Sequence, residues 1–106
     1  MTPDEVRAIV KAEIGNDRSR SDPHGVDLKA CLVTPWMVSC QNTFPQLEGG
    51  RPLNLWIVLE ESPDKKDGYL ITFDEQNHKF GLAAWSRDIP VFLGYHGGFI
   101  NTLEGM

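Results

Sequence analysis

Short connections between strand-like segments are the feature that most constrains how this chain can fold. Four segments after residue 52 have the composition or the alternation of β-strands, and short polar turns separate them. Parallel strands need a crossover of a dozen or more residues, so these consecutive strands must run antiparallel. The four segments are Leu53–Glu60, Tyr69–Asp74, Lys79–Trp85 and Val91–Tyr95.

The register of the hairpin around the turn at 75–78 follows from its side chains. One register places the large apolar residues of both strands on one face and pairs an acid with a lysine. A slip of one residue would move every side chain to the other face. The predicted cross-strand pairs are Tyr69 with Ala84, Ile71 with Leu82, Phe73 with Phe80, and Asp74 with Lys79.

The segment 26–44 contains two further strand candidates, an alternating stretch over 26–32 and an extended one over 37–40. Pro35 lies between them and cannot donate a ladder hydrogen bond. The segment is either a hairpin or one long strand bent at Pro35. In the hairpin, Cys31 and Cys40 would lie opposite each other and could pair, although two cysteines are too few for a disulfide scaffold.

Both ends of the chain carry helix signals. Thr2 and Glu5 form a capping box around Pro3, and apolar residues at helical spacing predict an amphipathic helix over 3–14. After 94–98, a short C-terminal helix is predicted from the side chains that share one of its sides, namely Phe99, Ile100, Leu103 and Met106.

The predicted fold class is therefore α+β. We expect an antiparallel β-meander of about five to six strands, an N-terminal amphipathic helix and a short C-terminal helix. The length of 106 residues fits a single domain over 1–106. If one register propagates across the sheet, the core face includes Leu55, Ile57, Ile71, Phe73, Leu82 and Leu93.

The other face of the predicted sheet carries Trp56, Trp85 and Phe92. A face open to water should be more polar than this. Either the terminal helices cover it within the monomer, or these three residues form a binding surface or a dimer interface.

Two loops carry the candidate anion-binding groups. The segment 15–25 contains Arg18, Arg20 and His24 in an otherwise acidic chain, and the glycine-rich turn 94–98 contains His96. These loops are either solvated connectors or, if they converge, a site for an anionic group.

Charge and motif content exclude several function classes. A net charge of −5 argues against nucleic-acid and anionic-membrane partners. The sequence contains no run of 18 apolar residues and no secretory signal at Met1, so the cytoplasm is the expected compartment. Catalytic and phosphate-binding motifs are absent as well, so we expect no cofactor and no metal site.

The leading functional hypothesis is a small acidic interaction module that binds a basic protein partner, as an inhibitor or immunity protein would mask a basic toxin. One alternative is a small-ligand or enzymatic domain that binds an anionic group between 15–25 and 94–98. Another alternative is a structural homodimer. The acidic charge and the aromatic second face favour the first hypothesis.

Overall fold

The computed structural model describes residues 1–15, 31–63 and 65–106. Within these residues it is an α+β structure, in which one helix precedes and one helix follows the five strands of a sheet in chain order, as predicted. No helix within these ranges is long and apolar enough to cross a membrane. The elements in chain order are α1 (Pro3–Ile14), β1 (Leu32–Asn42), a 3₁₀ turn (Glu48–Gly50), β2 (Leu53–Glu60), β3 (Tyr69–Asp74), β4 (Lys79–Ser86), β5 (Ile89–Gly97) and α2 (Phe99–Glu104).

The sheet closes into a barrel in the order β1-β2-β3-β4-β5. Each consecutive pair is antiparallel, whereas the closing pair β1–β5 is parallel, with Gln41 opposite Val91 and Asn42 opposite Phe92. Strands that alternate in direction leave the first and the fifth pointing the same way, so closure forces this parallel pair. The prediction of a plain antiparallel meander is therefore wrong in this respect. Short connections determine strand order, but closure depends on twist and shear summed over all strands.

Helix α1 forms where its capping box predicts. Thr2 Oγ1 accepts from the Glu5 amide at 3.2 Å, and Glu5 Oε1 accepts from the Thr2 amide at 3.0 Å. Val6, Val10 and Ile14 are buried, so the apolar face of α1 docks on the barrel.

The β3–β4 hairpin has the predicted register. Its turn is held by Asp74, whose Oδ1 accepts from the Gln76 and Asn77 amides. All four predicted pairs are confirmed: Tyr69 with Ala84, Ile71 with Leu82, Phe73 with Phe80, and Asp74 with Lys79.

Strand β1 is a single long strand that runs through Pro35, so the hairpin alternative is wrong. Its register against β2 shifts between Leu32 and Trp36, around the proline that cannot donate to the ladder. Cys31 precedes the strand and Cys40 lies within it, so they do not face each other across a hairpin. The strand predicted over 26–32 is described only in part, because residues 26–30 lie outside the described ranges.

A second register shift lies in the β2–β3 ladder, between Ile57 and Leu59. Trp56 pairs with Phe73 and therefore shares its face, and Ile57 pairs with Thr72 on the opposite face. The prediction that Leu55 and Ile57 share a face with Ile71 and Phe73 is thus wrong. The extra residue of a bulge reverses the parity of the strand on one side of it, and sequence alternation alone does not reveal this.

The apolar residues form a packed interior and a helix-covered outer face. Gly81 is needed inside the barrel because a Cβ there would lie 2.8 Å from the Phe92 ring. The interior is filled by Cys40, Leu55, Ile57, Leu70, Ala83 and Phe92. Both α1 and α2 pack against a common outer cluster that includes Trp56, Val58, Leu59, Ile71, Phe73, Phe80 and Leu82.

Leu93 is the member of the predicted core set that lies at the surface, 44% exposed. The β4–β5 register is irregular at this point, between Leu82 and Ala83. Leu93 points away from the barrel interior, where Phe92 is buried, and it belongs to none of the buried clusters of the described residues. The remaining predicted core residues are buried.

Candidate functional site

The three aromatic residues predicted to form a second face do not share a surface. Trp56 lies under the helices, 7% exposed, and its Nε1 donates to Glu75 Oε1 at 3.0 Å. Phe92 is buried inside the barrel. Of the three, only Trp85 is partly exposed. The prediction is wrong for Trp56, which the register shift in β2 turns to the other side, whereas Trp85 and Phe92 lie on the same side of the sheet.

Trp85 is instead joined by Trp36, which was not among the residues of the predicted second face. The two rings stack with centroids 6.3 Å apart and an interplanar angle of 19°. Both pack on Ile57, Leu70 and Ala83, which belong to three adjacent strands. Once β1 is taken as one strand through Pro35, the alternation of Trp36 with Val38 is the signal that could have found this partner.

Charged side chains surround the two rings. Trp36 Nε1 donates to Glu60 Oε2 at 3.1 Å, which fixes one ring against a carboxylate. Lys66 Nζ lies 5.8 Å from the Trp85 ring centroid, within the range of a cation–π contact, and 3.9 Å from Asp88 Oδ1. We call these five residues the tryptophan platform: Trp36, Glu60, Lys66, Trp85 and Asp88.

One polar atom of the platform lacks a hydrogen-bond partner within the described part of the chain. Trp85 Nε1 is buried, and no acceptor among the described residues reaches it. An N–H left without an acceptor costs about 1–3 kcal/mol in desolvation. The platform therefore combines electron-rich ring faces and carboxylates, which suit a cation, with a donor that none of the described residues satisfies.

A polar cleft of about 460 Å³ lies elsewhere on the barrel, lined by β2, β3, β5 and the loop after β1. The Tyr95 hydroxyl donates to Asp74 Oδ2 at 2.6 Å, and the Asn77 side chain donates to the same oxygen at 2.9 Å. Burial by itself raises the pKa of Asp74, but hydrogen bonds from Tyr95, Asn77 and Gln76 together hold it below its usual value. Burial and the Asp74 carboxylate raise the pKa of Tyr95 well above its usual value.

This network stabilises the hairpin turn and is poorly suited to proton transfer. Asp74 accepts four hydrogen bonds, which occupy the usual acceptor positions of a carboxylate. Its lowered pKa keeps it ionised at neutral pH, and the raised pKa of Tyr95 keeps the phenol protonated. A general base at neutral pH needs a pKa much nearer 7.

A smaller groove of about 190 Å³ lies between α1 and β1. Arg7 and Lys11 stand at its rim, and Arg7 donates to Thr34 Oγ1 at 3.1 Å. The groove is otherwise lined mainly by apolar side chains such as Val10 and Pro35. The groove therefore presents two cationic side chains, but that of Arg7 is already hydrogen-bonded to Thr34.

The predicted anion-binding residues are only partly described by the structure. Arg18, Arg20 and His24 lie outside the described residues, and His96 is exposed near the end of β5. His96 lies close enough to Gly105 that a Cβ there would be 2.9 Å from the imidazole. Convergence of the 15–25 and 94–98 segments stays a prediction.

A metal site and a reactive Cys40 thiol have little support in the described ranges. Within them, no three residues of the His, Cys, Asp and Glu types are grouped so as to hold a metal ion. Burial raises the pKa of the Cys40 thiol to about 11, so this thiol is protonated at neutral pH and weakly nucleophilic.

Comparison with known proteins found no matching family model, no similar curated protein and no similar solved structure.

Proposed function

We propose that this chain is a small acidic cytoplasmic interaction module that binds a basic protein partner through the tryptophan platform. The observation that supports the proposal is that the platform already carries a cation, since Lys66 Nζ lies 5.8 Å from the Trp85 ring centroid. A surface that holds a lysine of its own chain has the chemistry to hold one from a partner.

Charge supports the same class of partner. The chain has 15 acidic and 10 basic residues, and Glu60 and Asp88 belong to the platform itself. Opposite charge accelerates the encounter of two proteins and disfavours acidic partners. Tryptophan is also among the residues enriched in the energetically important centres of interfaces.

The barrel has little room inside for a small ligand, which favours binding at its surface. Large side chains fill it, and Leu55, Ile57, Leu70 and Phe92 are each exposed by no more than 1%. The polar cleft is the larger of the two described concave alternatives, but its Asp74 carboxylate already accepts four hydrogen bonds. The alternative of an anion site around His96, with Arg18, Arg20 and His24, requires the convergence of the two loops.

The test has two steps. The purified chain is used as bait to capture proteins that bind it, and each captured protein is then purified and mixed with the chain to measure direct binding. The platform variant is Glu60→Gln/Asp88→Asn. The matched control is Glu48→Gln/Glu104→Gln, which removes the same charge from the polar cleft and from α2. We expect a captured basic protein to bind the purified chain directly, with an affinity that falls with salt and falls further in the platform variant than in the control.

Two results would overturn the proposal. One is that no directly binding basic protein is captured at low salt. The other is that the platform and control variants weaken the reconstituted complex equally, because charge alone would then explain the binding.

Self-association is a second candidate function, favoured by exposed apolar side chains on the outside of the barrel. Ile89 is 53% exposed and Tyr69 37%, and Leu93 is exposed as well. Tyr69 lies opposite Ala84, and Ala84 lies opposite Val91, so this outer surface continues across three strands. Exposed apolar patches often mark interfaces.

Sedimentation velocity over a wide concentration range tests the homodimer. A dimer that dissociates on Leu93→Asp would support it. Purely monomeric behaviour at every concentration would exclude it.

A further inference from the structure

We propose that the face of Trp85 is a seat for one arginine or lysine side chain of the basic partner, and that Lys66 occupies this seat in the free chain. The inference deepens the proposed function and rests on it, because it names the group that the platform recognises. It also makes Lys66 an internal competitor of the partner.

The geometry explains why Lys66 can be displaced. Its side chain is 62% exposed, and its nitrogen lies 3.9 Å from Asp88 Oδ1, near the outer limit of an ion pair. Exposed pairs of this kind contribute little to stability. Lys66 also lies in the connection between β2 and β3 and not in a strand, so it can leave the ring without breaking the sheet.

An incoming arginine would gain more from the seat than Lys66 does. Its planar guanidinium stacks on an indole and is more weakly hydrated than an ammonium group. Departure of Lys66 also releases the Asp88 carboxylate, which can then accept from the guanidinium. The exchange replaces one cation by another, so the charge of the site is conserved.

The indole N–H of Trp85 gives the occupant a second group to recognise. Trp85 Nε1 is buried without an acceptor among the described residues. If the Trp85 ring turns when the partner binds, a main-chain carbonyl next to the partner's cationic residue accepts from this N–H. Binding would in this way satisfy a group that the described part of the free chain leaves unsatisfied.

The test uses hexa-arginine amide as the probe, at low salt, with the indole N–H signals of the three tryptophans followed by NMR. We expect the signals of Trp36 and Trp85 to shift, while that of Trp56, which is bonded to Glu75, stays in place. Hexa-lysine should produce the same pattern with weaker binding.

Two variants of equal charge separate the seat from general electrostatics. Lys66→Gln vacates the ring of Trp85, and Lys65→Gln removes the charge of its exposed neighbour. We expect Lys66→Gln to bind hexa-arginine about two- to five-fold more tightly than Lys65→Gln, the factor that corresponds to an exposed cation–π contact.

Three results would each rule out a cation site on Trp85: equal affinities of the two variants, equal shifts of all three indole signals, or no binding of hexa-arginine at low salt. If a basic protein nevertheless binds the chain directly in the reconstitution assay, the proposed function is retained and only the cation site on Trp85 is rejected. If no such protein is found, the proposed function fails whatever hexa-arginine does.

Discussion

At the scale of single residues, Asp74 links the stability of the barrel to pH. In the folded chain its pKa lies below the usual value, because the hydrogen bonds from Tyr95, Asn77 and Gln76 together outweigh the effect of burial. A carboxylate with a lowered folded-state pKa stabilises the fold above its unfolded-state pKa. This contribution is lost as the pH falls through the folded-state value.

We therefore expect Asp74→Asn to lower the free energy of unfolding at neutral pH by about 1–3 kcal/mol, since it disrupts charge-assisted hydrogen bonds. The difference from wild type should shrink as the pH falls through the lowered pKa of Asp74. Urea unfolding at a series of pH values measures it. Glu104→Gln removes an exposed carboxylate from α2 and is the control for the loss of one negative charge. A constant difference at all pH values would contradict the role given to Asp74.

Ile71 and Leu93 provide a second prediction at this scale, because sequence analysis placed both in the core. Ile71 is fully buried between the barrel and the helices, whereas Leu93 is 44% exposed. Ile71→Ala should destabilise the chain by about 2–5 kcal/mol through loss of burial and creation of a cavity. Leu93→Ala deletes a side chain of similar size and should cost well under about 1 kcal/mol. Similar losses in chemical denaturation would contradict the described outward position of Leu93.

At the scale of elements, the N-terminal cap of α1 couples a local signal to the stability of the whole fold. Thr2 Oγ1 accepts from the Glu5 amide, and the buried face of the helix contacts the barrel. Thr2→Ala should lower the free energy of unfolding by about 1 kcal/mol.

Thr2→Ser is the matched control, because it keeps the hydroxyl and should retain most of the stability. Thermal unfolding followed by circular dichroism compares the two variants. If Thr2→Ala leaves the melting temperature unchanged, α1 contributes nothing through this cap and its docking on the barrel must be weak.

At the scale of the whole molecule, the tryptophans should divide into one protected residue and an accessible pair. Trp56 is covered by the helices, and Trp36 and Trp85 are half-buried in the platform. Trp36→Phe/Trp85→Phe, which retains only Trp56, should show weak acrylamide quenching at every protein concentration. Trp56→Phe, which retains the platform pair, should be quenched more strongly.

The concentration dependence of this quenching bears on self-association. Quenching of the platform pair that falls as the protein becomes concentrated would mean that a second copy covers it. Equal quenching of the two variants would contradict the described burial of Trp56.

Local features of this chain are predictable because the interactions that create them join residues close in sequence. The capping box of α1 spans Thr2 to Glu5, and the β3–β4 register follows from side chains on either side of one turn. Such signals are complete within a few neighbouring positions. The acidic composition is likewise a property of the sequence that does not depend on how the chain folds.

The tertiary structure alone decided the features that join distant segments. Closure of the barrel brings Asn42 beside Phe92, and Glu13 Oε1 of α1 accepts from the Phe99 amide at 2.8 Å, at the start of α2. No local pattern marks either contact, because each depends on the position of every strand between its partners.

The platform belongs to this second group. The register shift in β2 turns Trp56 away from Trp85, and the passage of β1 through Pro35 brings Trp36 to it. A shift of one residue reverses which side chains face inward, and its energy depends on packing against neighbouring strands. The sequence by itself therefore determined the two terminal helices, strands β2 to β5 and the β3–β4 hairpin of this protein. Packing over the whole barrel decided which tryptophans meet at its surface.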